Sequence, residues 1–109
     1  MPISDELKAK IDGMVRAKRI VVFMKGSAMM PACGFSASAL ATLRAAGAKE
    51  IATHDVLRDP DLRQGIKEYS SWPTIPQIFI DGKLIGGSDI VRELHERGEL
   101  APLVAGTPA

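Results

Sequence analysis

The sequence contains one cysteine, and the position of that cysteine is the strongest indication of chemistry in the chain. Cys33 follows a loop after the apolar run 20–24 and directly precedes a segment with helical periodicity. A thiol at a helix N-terminus meets unpaired backbone N–H groups and the positive end of the helix dipole. Both stabilise the thiolate and lower the thiol pKa from about 8.5 to about 3.5–7.5. Because the thiolate is the form that attacks disulfides and binds metals, Cys33 is predicted to be reactive or metal-ligating.

A purely structural role for this cysteine is the alternative, since free cysteines often behave as small buried hydrophobes. The neighbouring residues favour the reactive interpretation. Pro31 precedes Cys33 in the loop, and Gly34 follows it, where a glycine permits close approach of a ligand or another backbone. Met29 and Met30 in the same loop have two interpretations: they line the mouth of the site or contact a partner, or they fill a gap in the core.

The elements that must position Cys33 follow from the apolar periodicity of the chain. Helical spacing predicts helices near 7–15, 35–46, 62–69, 90–94 and 100–104, and apolar content predicts strands at 20–24 and, more weakly, 51–56. Asp81-Gly82 lies between two further apolar runs and predicts a hairpin. The parallel β-α-β unit and the later antiparallel pair together predict an α/β fold, a four-stranded mixed sheet flanked by helices.

Two local features sharpen this prediction. Asp59 followed by Pro60 is typical of a helix start, with a carboxylate at the N-cap and proline at the first helical position. Pro73 and Pro76 exclude both a helix and an inner strand, so residues 70–76 must form a loop. Trp72 is expected to pack this loop against the sheet.

Length and composition limit the classes of protein. A chain of 109 residues is expected to form a single domain over residues 1–109, and its net charge of +1, with acids and bases interspersed, argues against a nucleic-acid partner. The apolar run 20–24 is too short to span a membrane, and the N-terminal residues lack the pattern of a signal peptide. One cysteine cannot form an internal disulfide, so a cytoplasmic location is expected. His54 and His95 lack a second ligand at metal spacing.

Four motifs together resemble the monothiol glutaredoxin family. They are Met24-Lys25-Gly26, Pro31-Ala32-Cys33-Gly34-Phe35-Ser36, the segment from Trp72 to Gln77, and Gly86-Gly87-Ser88-Asp89. The resemblance extends over nearly the whole chain. It implies the thioredoxin fold and the binding of a [2Fe-2S] cluster together with glutathione.

The resemblance also implies the roles of individual residues. Cys33 would be the iron ligand and the thiol that bonds glutathione. Lys25 and Arg63 would hold the glycine carboxylate of glutathione. A tripeptide with two carboxylates needs such basic residues, but without the motif Arg63 is equally well explained as helix surface and Lys25 as a solubilising loop residue.

The remaining implied residues lie in the second half of the chain. The backbone of Ile75 would pair with the cysteinyl unit of glutathione, with Pro76 in the cis form. Ser88 and Asp89 would meet the γ-glutamyl end, although Asp89 is also explained as a first-turn acid favoured by the helix dipole. Many relatives have cysteine or phenylalanine where this chain has Ser88, so no second, resolving thiol exists.

Two functions of different classes remain. The favoured one is a cluster carrier: a [2Fe-2S] cluster needs four thiolate-type ligands, and two chains with two glutathiones supply them in a homodimer. The resemblance implies a BolA-family protein as a possible replacement for the second chain and apo iron–sulfur proteins as recipients. The alternative is an enzyme, a glutathione-dependent thiol–disulfide oxidoreductase acting on mixed disulfides. A dithiol mechanism is excluded by the cysteine count.

Overall fold

The computed structural model describes residues 3–106 and contains a four-stranded mixed sheet with helices on both faces. The strand order is β2-β1-β3-β4, with β1 parallel to β2 and antiparallel to β3, and β3 antiparallel to β4. This arrangement confirms the predicted α/β class and the thioredoxin fold. The elements are α1 (Asp5–Ala17), β1 (Ile20–Met24), α2 (Gly34–Ala45), β2 (Ala52–Asp55), α3 (Pro60–Ser70), β3 (Gln77–Ile80), β4 (Lys83–Gly86), α4 (Ser88–Glu96) and α5 (Leu100–Ala105).

Strand β1 is buried along its whole length because both of its faces are covered. Ile20, Val22 and Met24 pack with residues of α2, α4 and α5, whereas Val21 and Phe23 pack with residues of α1 and α3. Side chains alternate between the two faces of a strand, so a continuous apolar run is what a doubly covered strand requires. Each buried side chain of this size contributes about 1.5–3 kcal/mol relative to an exposed one.

Side-chain caps begin the two helices that cover one face of the sheet. The Ser4 hydroxyl accepts a hydrogen bond from the Leu7 N–H at 3.1 Å and begins α1. The Asp59 carboxylate accepts one from the Leu62 N–H, also at 3.1 Å, with Pro60 at the start of α3. The prediction for the start of α3 is therefore confirmed, and the cap hydrogen bond lowers the pKa of Asp59.

The predicted hairpin is also present. Asp81 and Gly82 both have positive φ angles, 54° and 77°, which is the conformation of the tight turns that match the twist of two antiparallel strands. An irregularity in register separates Ile78 from Phe79 opposite β4. The chain then passes from Gly86 to Gly87, the N-cap of α4, and so brings the start of that helix to the edge of the sheet.

Arg19 closes the end of the sheet where β1 begins. Its Nε donates to Asp81 Oδ1 at 2.9 Å, and its two terminal nitrogens donate to the carbonyl oxygens of Val104 (2.8 Å) and Leu103 (3.0 Å). One guanidinium thus joins β1, the hairpin turn and α5. No helix within residues 3–106 is both long and apolar enough to cross a membrane.

Candidate functional site

The loop between β1 and α2 presents Cys33 at the opposite end of β1. The Ala32 N–H donates to the Lys25 carbonyl at 2.9 Å, and the Ser27 N–H donates to the Met30 carbonyl at 3.2 Å. Gly26 has a φ of +88°, and a Cβ there would lie 2.4 Å from the Ala32 nitrogen. Only glycine fits this position, and the loop returns tightly so that Cys33 becomes the half-exposed N-cap of α2.

The pKa of the Cys33 thiol is lowered mainly by the backbone N–H of Ser36 in the first turn of α2. The Phe35 N–H, the Lys25 ammonium and the Ser36 hydroxyl act in the same direction, while partial burial of the sulfur opposes them. The Cys33 side chain makes no N-cap hydrogen bond, so the N–H and O–H dipoles and the Lys25 charge stabilise the thiolate through electrostatic attraction. The predicted stabilisation of the thiolate by the helix start is present in the structure.

Ser36 links the two ends of the loop between β1 and α2, and the sequence analysis did not identify it as a site residue. This residue is fully buried, and its hydroxyl accepts a hydrogen bond from the Lys25 N–H at 3.1 Å. One side chain thus fixes the backbone of Lys25 and adds to the polar surroundings of Cys33. A serine three residues after an N-cap, on the buried side of an apolar helix, is the sequence feature that could have identified it.

A groove of about 560 Å³ lies beside Cys33, and we call it the site groove. Five predicted residues line it together: Lys25, Arg63, Ile75, Ser88 and Asp89. Its other lining residues are Phe35, Lys67, Trp72, Pro73, Thr74, Pro76, Gly87 and Ile90. Cys33 itself is not part of the wall; it lies two residues before the wall residue Phe35, at the edge of the groove.

The site groove contains cations that form no ion pair with any described carboxylate. Within residues 3–106, no carboxylate forms an ion pair with Lys25, Arg63 or Lys67. Asp89 is the acid of the groove, and it pairs with Arg92 at 3.3 Å while 77% of its side chain stays exposed. The structure thus brings Lys25 and Arg63 from separate elements into one groove, which a role as scattered surface residues does not require.

The loop before β3 supplies the floor of the groove. The Ile75–Pro76 peptide bond is cis, as the resemblance implies. Buried Gln77 holds the loop, because its side-chain nitrogen donates to the carbonyl oxygens of Trp72 (2.9 Å) and Thr74 (3.3 Å). Within residues 3–106 the backbone of Ile75 forms no hydrogen bond, so its N–H and C=O remain available to an extended ligand.

Three groove residues add to the sequence-based expectation. Phe35, which the sequence analysis placed only in a motif, is 63% exposed and lines the groove. Trp72, which was expected to pack the loop against the sheet, forms part of the groove wall. Lys67 was missed, although it lies one helical turn after Arg63 and therefore on the same face of α3.

Other candidate sites carry less chemistry. A larger concavity of about 700 Å³ lies between the starts of α1 and α3, but no thiol is among its lining residues. His54 stacks on Phe23 with ring centroids 5.2 Å apart, and its buried Nε2 has no hydrogen-bond partner among residues 3–106. No group of three His, Cys, Asp or Glu side chains within residues 3–106 is arranged to hold a metal ion.

Comparisons with known proteins agree with the geometry of the site. The glutaredoxin family model matches residues 20–85, more than half of the chain. An uncharacterized monothiol glutaredoxin, ycf64-like, from Synechocystis sp. (strain ATCC 27184 / PCC 6803 / Kazusa) is 49% identical over 94% of this chain and 94% of its own.

Solved structures extend the similarity to the fold. Reduced apo GrxS14 of poplar superposes with a TM-score of 0.82 at 40% identity, over 97% of this chain and 96% of that one. The buckwheat glutaredoxin–glutathione complex superposes with a TM-score of 0.80 at 26% identity, over 94% of each chain. With a single cysteine at the start of α2 and these similarities over nearly its full length, the chain belongs to the glutaredoxin family, in its monothiol branch.

Proposed function

We propose that this protein binds glutathione in the site groove and holds a [2Fe-2S] cluster through the Cys33 thiolate for transfer to other proteins. One observation carries the proposal: a single thiol with a lowered pKa lies at the edge of a groove whose cations form no ion pair with a carboxylate in the described part of the chain. Such a site has one sulfur of its own and a place for a small anionic molecule that brings another.

The polar groups of the site groove match the charges of glutathione. Lys25 and Arg63 face the groove as donors for the glycine carboxylate, and a charged hydrogen bond of this kind contributes about 1.5–3 kcal/mol. The free N–H and C=O of Ile75 suit the extended cysteinyl unit. Ser88 at the start of α4 offers N–H groups to the γ-glutamyl carboxylate, and Asp89 offers a carboxylate to its ammonium group. The buckwheat glutaredoxin, whose solved complex contains glutathione, supports this assignment.

The cluster is the cargo in this proposal, and ligand counting determines the assembly. A [2Fe-2S] cluster takes four thiolate-type ligands, and one chain with one glutathione supplies two. A homodimer with two glutathiones completes the set. Met29 and Met30, in the loop between β1 and α2, are 93% and 79% exposed, so their interpretation as core filler is wrong. In the proposed dimer they provide apolar surface for the second chain. A BolA-family protein is the proposed alternative to the second chain, and apo iron–sulfur proteins are the proposed recipients.

The same cysteine supports a second candidate function, because its lowered pKa also favours nucleophilic attack. In this reaction the Cys33 thiolate attacks the glutathione sulfur of a mixed disulfide, and the substrate protein leaves as a thiolate. A second glutathione thiolate then attacks the mixed disulfide on Cys33, which releases oxidised glutathione and restores the thiolate. A cytoplasmic location is proposed for either function, since a reducing compartment keeps this thiol free.

Reconstitution followed by native mass spectrometry tests the proposal. We expect a monomeric apo protein and, after addition of iron, sulfide and glutathione, a dimer with one [2Fe-2S] cluster and two non-covalently held glutathiones. Without glutathione the visible absorption of the cluster should not develop. A holo monomer, or a cluster that forms without glutathione, would contradict the proposal. Turnover of a glutathione mixed disulfide at the rate of a two-cysteine glutaredoxin would favour the oxidoreductase instead.

A further inference from the structure

The segments that carry Lys25 and Arg63 to the site groove leave the sheet at one point, the end of the β1–β2 pair. Met24 and Asp55 are the last paired residues of these strands, and the Val56 N–H donates to the Met24 carbonyl at 2.9 Å. Beyond this pair, β1 continues into the loop of Lys25 and β2 continues toward α3, which carries Arg63. The placement of the two groove cations therefore depends on how the chain leaves this pair.

A single carboxylate oxygen holds both departing segments. Asp55 Oδ1 accepts one hydrogen bond from the Gly26 N–H and another from the Leu57 N–H, each at 2.9 Å. The Asp55 carbonyl also accepts a bond from the Arg58 N–H at 3.3 Å and thereby turns the chain toward α3. The Asp55 side chain is only 20% exposed, so these bonds are partly shielded from water.

The negative charge of Asp55 contributes less to holding these segments than the position of its carboxylate oxygen does. The ion pair with Arg58 is long, 3.6 Å, and the Arg58 side chain is 88% exposed. Exposed pairs of this kind contribute little. By contrast, the short bond from the Gly26 N–H connects residues 29 positions apart along the chain, and the equally short bond from the Leu57 N–H ties the same oxygen to the segment that follows β2.

We infer that Asp55 is a positioning residue that sets the distance between the Lys25 wall and the Arg63 wall of the site groove. The inference rests on the proposed function, because it takes the groove as the place where glutathione binds. Asp55 does not line the groove and acts through the backbone of Gly26 and Leu57. Through Gly26 it also fixes the approach of the Lys25 ammonium to the Cys33 thiolate.

Two substitutions separate the geometry of Asp55 from its charge. Asp55→Asn keeps an oxygen acceptor in the same place and removes the charge, whereas Asp55→Glu keeps the charge and moves the oxygen by one methylene group. Glutathione affinity is measured by calorimetry, and the pKa of the Cys33 thiol is measured from the pH dependence of its alkylation. We expect Asp55→Glu to bind glutathione about three- to tenfold more weakly, the equivalent of about one lost hydrogen bond, and to have a raised thiol pKa. Asp55→Asn should stay within about twofold of the wild type.

Control variants exclude a general loss of stability as the cause. Asp81→Asn removes the carboxylate that pairs with Arg19 at the other end of the sheet, and it should leave both measurements unchanged. Arg58→Ala should also leave them unchanged, because the two backbone bonds to Asp55 remain. Equal loss in the Asn and Glu variants, wild-type behaviour of Asp55→Glu, or the same loss in Asp81→Asn would overturn the inference.

The design also separates this inference from the proposed function. A wild-type protein that does not bind glutathione contradicts the proposed function, while the thiol pKa still tests whether Asp55 places Lys25 against Cys33. If the wild type binds glutathione and Asp55→Glu changes neither measurement, only the inference fails.

Discussion

The two ends of β1 use their cations in opposite ways. At the start of the strand, Arg19 gives its guanidinium hydrogen bonds to Asp81 and to two carbonyl oxygens of α5. At the end of the strand, Lys25 and Arg63 line the site groove, and no carboxylate within residues 3–106 pairs with either. A guanidinium that is satisfied internally holds the fold together, whereas cations left without a carboxylate in a groove are available to an anionic ligand.

This difference separates structural cations from cations available to a ligand, which the number of charged residues does not. Both ends carry basic side chains near a buried strand, and without the motifs Lys25 and Arg63 are equally well explained as surface residues. What distinguishes them is whether other elements of the chain bring acceptors to the cation. At the start of β1 the cation joins elements of the fold, and at the other end the lowered thiol pKa of Cys33 accompanies the groove in which we propose the chemistry.

Removing the thiol gives the largest expected effect and tests where the chemistry lies. Cys33→Ser should abolish cluster assembly, measured by visible absorption after reconstitution, while the midpoint of thermal unfolding stays the same. A serine at a half-exposed N-cap also favours helix initiation, so the fold is preserved. Lys83→Gln on exposed β4 is the control and should assemble the cluster normally. A stable coloured cluster in Cys33→Ser would show that other ligands hold it.

Reversing a groove cation comes next in size. Lys25→Glu or Arg63→Glu should each weaken glutathione binding by about tenfold to a hundredfold, which is the equivalent of one charge-assisted hydrogen bond. Lys83→Glu makes the same change of net charge on exposed β4 and should leave the affinity unchanged. Calorimetric titration at a fixed salt concentration measures all three. Wild-type affinity in both groove variants would return Lys25 and Arg63 to the surface interpretation.

The sequence predicted the regular elements well because local rules determine them. The run 20–24 gave β1 with its correct bounds, and the Asp59-Pro60 and Asp81-Gly82 pairs located the start of α3 and the hairpin turn. Each rests on periodicity, a cap or a turn conformation that neighbouring residues specify. The α2 helix was expected near residue 35 and begins at Gly34, with Cys33 as its N-cap.

For the site, the motifs selected residues that the structure brings together. Lys25, Arg63, Ile75, Ser88 and Asp89 all line the groove, and their roles toward glutathione stay predictions. The supporting residues were not predicted, because their roles depend on contacts between distant segments. Ser36 holds the backbone of a residue eleven positions earlier, and Asp55 holds one 29 positions earlier. The position of Ser36 three residues after an N-cap marks it as a candidate, but its partner, like that of Asp55, becomes evident only from the folded structure.

The next prediction tests the structural end of the strand. Arg19→Gln should lower the free energy of unfolding by about 1–2 kcal/mol, because several charged hydrogen bonds are lost at a half-exposed position. Glutathione affinity should not change. Lys18→Gln, which removes an exposed ion pair with Glu50 at 3.5 Å, is the matched control and should alter stability by less than about 0.5 kcal/mol. A loss of glutathione affinity in Arg19→Gln would mean that the two ends are coupled.

The smallest expected effect concerns His54. It precedes Asp55 on β2, so its protonation affects the stability of the end of β1 that leads to Lys25. Desolvation lowers the pKa of His54, with a further contribution from the Lys10 ammonium on α1, and its ring stacks on Phe23. The unfolded state thus binds a proton more readily than the folded state. Stability from this group is fully present above the ordinary histidine pKa of about 6.5 and is lost as the pH falls toward and below the lowered value.

Two measurements test this prediction. The urea midpoint of the wild type should fall between pH 8 and pH 5 by more than that of His54→Phe, which keeps the stacked ring and removes the titration. His95→Gln removes the other histidine and should behave like the wild type. His54 is followed on β2 by Asp55, whose carboxylate accepts the hydrogen bond of the Gly26 N–H. The hydrogen-exchange protection of the Gly26 N–H should therefore decrease at low pH before that of the Asp81 N–H, which donates to the Arg19 carbonyl at 2.8 Å. Equal pH dependence of the urea midpoint in the wild type and His54→Phe would assign the acid sensitivity to other groups. Simultaneous loss of protection at the Gly26 and Asp81 amides would show that the two ends of β1 open as one unit.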